Sequence, residues 1–409
     1  MINGLSKKVL NNYLHAFGVR SKELINNMKY SLYKFNILHS IRLCLFAGAL
    51  FCYYFQFPFK GVSRYIIPFL AVYLILSFGI IIKNINITNL LLISIYYIYI
   101  SIILVVSAFR YIEPGRILRF CIILSVLPLF CFVTFYDAKN KLFKIFIILS
   151  ILKALSQVVV YLLILKLGTY MPFRDFVQTN DMGDIYPYLN IFMKIQVRGT
   201  PLLLFAAMSY FEIKRKCDWI FFLLLIGVLL SGNFAFILGL LCFFIFKVYD
   251  YIIVNKAVFA IRVSISLLLL LLIGILLLPF FKKEVESKSK FSNVVRIEQA
   301  NALISGNIIS GNGFGNVIEA RGRFINYSGN IYFELQSLYI INQFGALGFL
   351  YLNFIIFYFL SHTKKNITRL YFLYLLYSFW NPYCFDTTHM MVIAILVNIE
   401  VTKGNTSLC

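Results

Sequence analysis

Glu334 stands immediately before a long apolar run, between Tyr332 and Gln336. A carboxylate at the mouth of a membrane span is suited to take a proton from a hydroxyl, and partial burial strengthens it as a base. The plainer alternative is a first-turn acid favoured by the helix dipole. Arg198 lies inside another apolar run, in Gln196-Val197-Arg198-Gly199-Thr200-Pro201. Ionisable groups at bilayer depth are costly and mark function by default. Gly199 and Pro201 loosen the chain there, and Pro201 frees backbone carbonyls that need partners. These residues predict an anion site at Arg198 that opens outward. Of the other charges in apolar runs, Arg42, Arg262 and Lys194 lie near run ends, where they can snorkel, and Lys153 is central with no partner to name. The turn Gly311-Asn312-Gly313-Phe314-Gly315 offers backbone N–H groups that can approach a phosphate, although any tight loop needs such residues. It is neither a dinucleotide fingerprint nor a P-loop. The four histidines have no metal-ligand spacing, and only His389 is placed outward, near Asp386. The eight cysteines include no C-x-x-C pair. No metal and no cofactor is expected.

The elements that must position these groups are membrane helices. The chain is 61% hydrophobic and 13% charged, far from the balance of a soluble domain. Twelve apolar runs are long enough to span or nearly span a bilayer: 36–55, 64–82, 87–109, 117–136, 142–167, 189–211, 217–231, 233–250, 257–281, 335–360, 366–381 and 383–402. The sequence therefore predicts an all-α polytopic membrane protein. A basic segment 1–35 precedes nine spans over 36–281, a large polar loop 282–334, three spans over 335–402 and a tail 403–409. Residues 1–35 do not read as a cleavable signal.

The formal net charge of +22 points to lipid topology rather than to nucleic acid. Lys and Arg gather in alternate short loops, as the positive-inside rule requires, which places both termini in the cytoplasm. Arg110, Arg116 and Arg119 are exceptions on the outer side. The loop 282–334 is also outer. Within it, Val294, Ile297, Ala300 and Ile304 have near-helical spacing and predict a short helix in an ordered domain on the membrane surface.

The order of these features resembles the bacterial O-antigen polymerase and O-antigen ligase superfamily over roughly residues 190–360. Arg-Gly-x-Pro in a mid-chain span precedes two short spans that meet at Ser231-Gly232-Asn233. A long outer loop follows, with Arg296 upstream of a Gly-x-Gly turn. Then Glu334 and Leu335 are followed, after nine intervening positions, by Gly345-Ala346-Leu347-Gly348. The ligases carry His where this chain has Glu334, which argues for the polymerase branch. The resemblance implies a GT-C-like membrane glycosyltransferase of the bacterial inner membrane, acting at the periplasmic face. The expected substrate is an undecaprenyl-diphosphate-linked oligosaccharide, with a flippase and a chain-length regulator as partners. A growing glycan would move from its carrier to the non-reducing end of a new lipid-linked repeat unit. The leaving diphosphate needs fixed cations, and arginine suits phosphate. Arg198 and Arg296 resemble the family's arginines, and Glu334 is the candidate base. Arg321 and Arg323 would be secondary donors, and Gly311, Gly313, Gly315, Tyr332 and Gln336 would bind substrate. Aromatic residues at the margin, including Tyr186, Tyr188 and Tyr327, could stack on sugar rings or form an interfacial belt. A ligase transferring glycan to lipid A–core is the near rival. A lipid-linked oligosaccharide flippase is the rival of a different class, and it would more often show two related halves.

Overall fold

A computed structural model describes residues 37–133, 139–188, 192–254, 292–304, 306–319, 321–324, 326–329, 333–361, 365–379 and 381–399. The chain is mostly helical. Helix α1 spans Ile37–Tyr54, α2 Ile66–Asn84 after a 3-10 turn at Val62–Tyr65, and α3 Ile87–Phe109. Asn86 caps α3 by accepting from Asn89 N at 2.7 Å. Helix α4 covers Pro114–Val126 and tightens into a 3-10 segment over Leu127–Phe132, where Pro128 cannot donate a helical bond. Helix α5 covers Lys139–Leu167 and α6 Met171–Thr179. Then come β1 (Gly183–Tyr188) and β2 (Phe192–Val197), followed by α7 (Pro201–Lys214), α8 (Trp219–Ser231) and α9 (Phe234–Val254). The described chain ends with α10 (Ser292–Ile304), α11 (Gln336–Ser361), α12 (Lys365–Phe379) and α13 (Thr387–Asn398).

Among the described residues, six segments are long and apolar enough to cross a membrane: Ile37–Tyr54, Val62–Asn84, Ile87–Phe109, Pro114–Phe132, Lys141–Leu167 and Gln336–Ser361. Their surfaces have the pattern lipid requires. Helix α2 buries Ile66, Leu70, Tyr73, Ser77 and Ile81 on one stripe and leaves Ile67, Ile75, Phe78 and Ile82 exposed on the other. A continuous apolar exterior of this kind marks a membrane-facing surface. The middle of the bundle is made by helices apolar on every side. Leu202 to Met208 of α7 and Met391 to Leu396 of α13 are fully buried, as expected of helices ringed by others.

Two departures from the sequence expectation concern the site. The run 189–211 is not one span. Its first half pairs with residues 183–188 as an antiparallel hairpin, with Gly183 opposite Val197 and Ile185 opposite Ile195, so the fold is not purely α. The run 257–281 lies outside the described residues. The predicted helix in the polar loop is present as α10, but its buried side carries Gln299 and Leu303, whereas Ile297 and Ile304 are exposed.

The segment after α10 is packed into the bundle. Gly345 adopts φ 84° and ψ 153° and breaks α11, and the glycine-rich turn fills the break. Ala346 N donates to Ile308 O at 2.8 Å, Asn312 N to Asn342 O at 2.8 Å and Gly313 N to Gln343 O at 3.1 Å. A Cβ on Gly345 would lie 2.5 Å from Ser310 C, and one on Gly311 would lie 2.5 Å from Gln343 O. The two glycine motifs are thus the two sides of one backbone contact.

Candidate functional site

Arg296 of α10 and Glu334, two residues before α11, meet across the sequence: Arg296 Nε lies 3.2 Å from Glu334 Oε2. Each side chain is about half exposed, at 41% and 50%. Their spacing is set by the packing of α10 on α11. Leu335 N donates to Gln299 Oε1 at 3.4 Å, Tyr327 OH to Val295 O at 3.3 Å and Asn342 Nδ2 to Leu303 O at 2.8 Å. Burial pushes the Tyr327 hydroxyl above its ordinary pKa, so it remains a donor.

The pair lines a cavity of about 650 Å³ together with Lys194, Asn233, Asn381 and Tyr383. Lys194 was expected to snorkel. Instead it lies in β2, almost completely buried, with its ammonium 5.4 Å from the Tyr186 ring centre. Gly232 makes room for it, because a Cβ there would fall 2.3 Å from Lys194 Cγ. The Ser231-Gly232-Asn233 junction of the two short helices therefore seats a cation, and Asn233 Nδ2 donates to Asn381 Oδ1 at 3.2 Å.

Arg198 is not inside a helix. It follows β2, is exposed, and forms a 2.6 Å ion pair with Asp181. The apolar run that suggested a span is used by the hairpin, and α7 starts only at Pro201. Arg198 lines a second cavity of about 810 Å³ with Gln56, Gln178, Asp181 and Asp386. Gln196, Pro382 and Tyr383 line both cavities, so the two abut at a shared wall. Arg198 and the Arg296–Glu334 pair therefore line different, adjoining cavities.

The remaining expected site residues are spread more widely. Gly311, Gly313 and Gly315 are buried, and their amides are already bonded to Asn307 O, Gln343 O and Gln343 Oε1. They shape the α11 junction and present no free amides to a phosphate. Arg321 is exposed and bridges to Asn326. Arg323 is exposed and stacks over Phe324. Neither lines the two cavities. Gln336 begins α11, and its Oε1 is buried with no partner among the described residues. Tyr332 lies outside the described residues, as does the side chain of Tyr188.

Other charges and polar groups have structural partners. Arg42 is fully buried instead of snorkelling, with Nε donating to Ser77 Oγ at 2.8 Å. Lys153 donates to the Arg198 carbonyl at 2.8 Å. His389 is buried, with Phe385 N donating to Nδ1 and Nε2 lying 3.0 Å from Tyr371 OH. Among the described residues no cluster of three His, Cys, Asp or Glu side chains is arranged to hold a metal. The exceptions to loop-charge alternation also find a use. Arg110 Nη1 donates to Asn312 Oδ1 at 3.2 Å, Arg116 backs Gly315, and Ser107 Oγ accepts from Phe314 N at 2.7 Å. The α3–α4 turn thus lies on the same face as the glycine-rich turn and both cavities.

The fold and site define a helical membrane protein with two polar cavities at one end of its bundle. No family model, curated protein or solved structure matches the chain.

Proposed function

We propose that the protein is an O-antigen polymerase of the bacterial inner membrane. It would transfer a growing polysaccharide from undecaprenyl diphosphate to a new lipid-linked repeat unit at the periplasmic face. The observation that carries this proposal is the Arg296–Glu334 pair in one cavity with Lys194. Two cations and one carboxylate are what a glycosyl transfer from a lipid diphosphate needs: cations for the leaving group and a base for the acceptor.

The resting pair suits an exchange. An ion pair this exposed contributes on the order of 0–1 kcal/mol, so an arriving diphosphate can take Arg296 with little loss. Glu334 then loses its cation and is open to a hydrogen bond from the acceptor hydroxyl. The acceptor hydroxyl oxygen bonds to the anomeric carbon, and its proton passes to Glu334. The bond from that carbon to the diphosphate oxygen breaks, and the electron pair leaves on the diphosphate beside Arg296 and Lys194. Arg198, placed in the adjoining cavity, is not assigned to the leaving group.

An orientation with both termini in the cytoplasm, in which α7 is the crossing part of the run 189–211, fits the alternation of the described helices. One face gathers the α3–α4 turn, the hairpin and the α12–α13 turn. The opposite face joins Asn84 to Phe132 O and Asn398 to Val133 O. A flippase would supply the lipid-linked unit, and a chain-length regulator would act beside the polymerase. In cells lacking the protein, the surface polysaccharide should stop at core plus one repeat unit. Complete loss of polysaccharide, including that single unit, would favour the flippase instead.

A further inference from the structure

We infer that the 810 Å³ cavity around Arg198 is a sugar-reading subsite, separate from the reacting centre, with Gln56 and Gln178 among its specificity determinants. The inference rests on the proposed polymerase only in tying those sugars to a polymer repeat unit; the binding itself is separable.

Charge is the first observation. Arg198 is neutralised by Asp181 at 2.6 Å, and a second carboxylate, Asp386, also lines the cavity. Such a site does not favour a free diphosphate. The neighbouring cavity, with Lys194 and Arg296 against Glu334 alone, does.

The second observation is unused hydrogen-bonding capacity. Thr200 is 2% exposed, lines the cavity, and makes no side-chain cap for α7. Its hydroxyl has no partner among the described residues. A hydroxyl so placed at the cavity wall can bond a polar occupant. Asp386 accepts from His389 N at 3.1 Å and from Thr388 Oγ1 at 2.8 Å, which leaves further lone pairs on both oxygens. Planar amides, which donate and accept, set beside carboxylates, which accept, match vicinal hydroxyls. The same lining would strand its polar groups against an isoprenoid chain.

The third observation is continuity. Gln196, Pro382 and Tyr383 border both cavities, so a glycan seated beside Arg198 can reach Glu334 across one wall. The volume lies within the usual range for small-molecule sites. The occupant this chemistry selects is a short, uncharged oligosaccharide.

The test uses full-length protein in detergent. Native mass spectrometry would measure binding of a panel of short neutral oligosaccharides, uronic-acid-bearing oligosaccharides and inorganic pyrophosphate. At least one neutral oligosaccharide should bind, and Gln56→Leu or Gln178→Leu should weaken it about tenfold, about 1.4 kcal/mol. Arg296→Met should weaken pyrophosphate and leave the sugar unchanged. Gln178 makes no side-chain bond among the described residues, so its variant should fold, as an unchanged melting temperature would verify. The inference is overturned if no neutral oligosaccharide binds, if only acidic ones bind, or if neither glutamine variant weakens the sugar. Failure of the polymerase proposal would show separately, as absent chain extension with sugar binding intact.

Discussion

The ammonium of Lys153 donates to the backbone carbonyl of Arg198 at 2.8 Å. Lys153 lies fourteen residues before the end of α5 at Leu167, about 21 Å along a helix. The other side of this half of α5 exposes Leu155, Val159 and Leu162, which belong in lipid. The hairpin therefore lies beside a lipid-facing stretch of helix. Irregular backbone is tolerated there only where it is enclosed by protein or lines a cavity, and this one lines a cavity. Arg198 is clamped on two sides, because its own N–H donates to Met182 O at 2.8 Å.

Lys153→Met keeps the side-chain volume and removes one side of that clamp. Amide hydrogen exchange at Arg198 should accelerate about tenfold, equivalent to roughly 1.4 kcal/mol of a buried hydrogen bond. Exchange within α13 should not change. Unaltered exchange at Arg198 would show that the clamp does not hold the segment.

The glycine contact between the 306–316 turn and α11 should resist any side chain. Gly345→Ala combines a left-handed φ of 84° with a 2.5 Å approach to Ser310 C and should cost more than about 2 kcal/mol. Gly79→Ala, where nothing lies within 4 Å, should be neutral or slightly stabilising. Melting temperatures in detergent would compare the two.

Asn312 joins three segments. Its Oδ1 accepts from Arg110 at 3.2 Å and from Asn307 N at 3.1 Å, and its Nδ2 donates to Asn342 O at 3.1 Å. Asn312→Ala removes all three side-chain bonds, leaving Asn342 O only the bond from the backbone N–H of residue 312, and should destabilise the protein by about 1–3 kcal/mol. Arg110→Ala removes only one of the bonds and should cost less. Equal stability for Asn312→Ala and wild type would contradict the assigned network.

Orientation can be read by thiol labelling in a background lacking the other cysteines. Cys217 is exposed between α7 and α8, and Arg321 is exposed on the opposite face. A membrane-impermeant maleimide should label Arg321→Cys in intact spheroplasts and Cys217 only after permeabilisation. The reverse pattern would invert the topology. Gly313 is unsuited to this measurement because it is buried.

The long spans were legible because hydrophobic length and loop charge report them directly: 87–109 in the sequence is Ile87–Phe109 in the structure. The hairpin was not. Phe192 to Val197 is apolar enough to pass for part of a helix, although Met193, Ile195 and Val197 alternate with Lys194 and Gln196, a period of two that signals a strand. Arg296 and Glu334 entered the expectation through family resemblance and through position at a span mouth. Their contact depends on how α10 packs against α11, which local spacing does not encode. The burial of Lys194 is hidden from local sequence for the same reason, since it depends on Gly232 and Tyr186 from other elements. The glycine-rich turn was read as a ligand cradle because free and internally bonded amides look alike in sequence.

Reconstituted protein supplied with undecaprenyl-diphosphate-linked repeat unit, with products resolved by length, tests the proposed chemistry most directly. Wild-type protein should give a ladder of extended chains. Glu334→Gln should abolish it with little change in melting temperature, because the half-exposed pair contributes only about 0–1 kcal/mol. A ladder of normal length and rate from folded Glu334→Gln would contradict the role given to the Arg296–Glu334 pair.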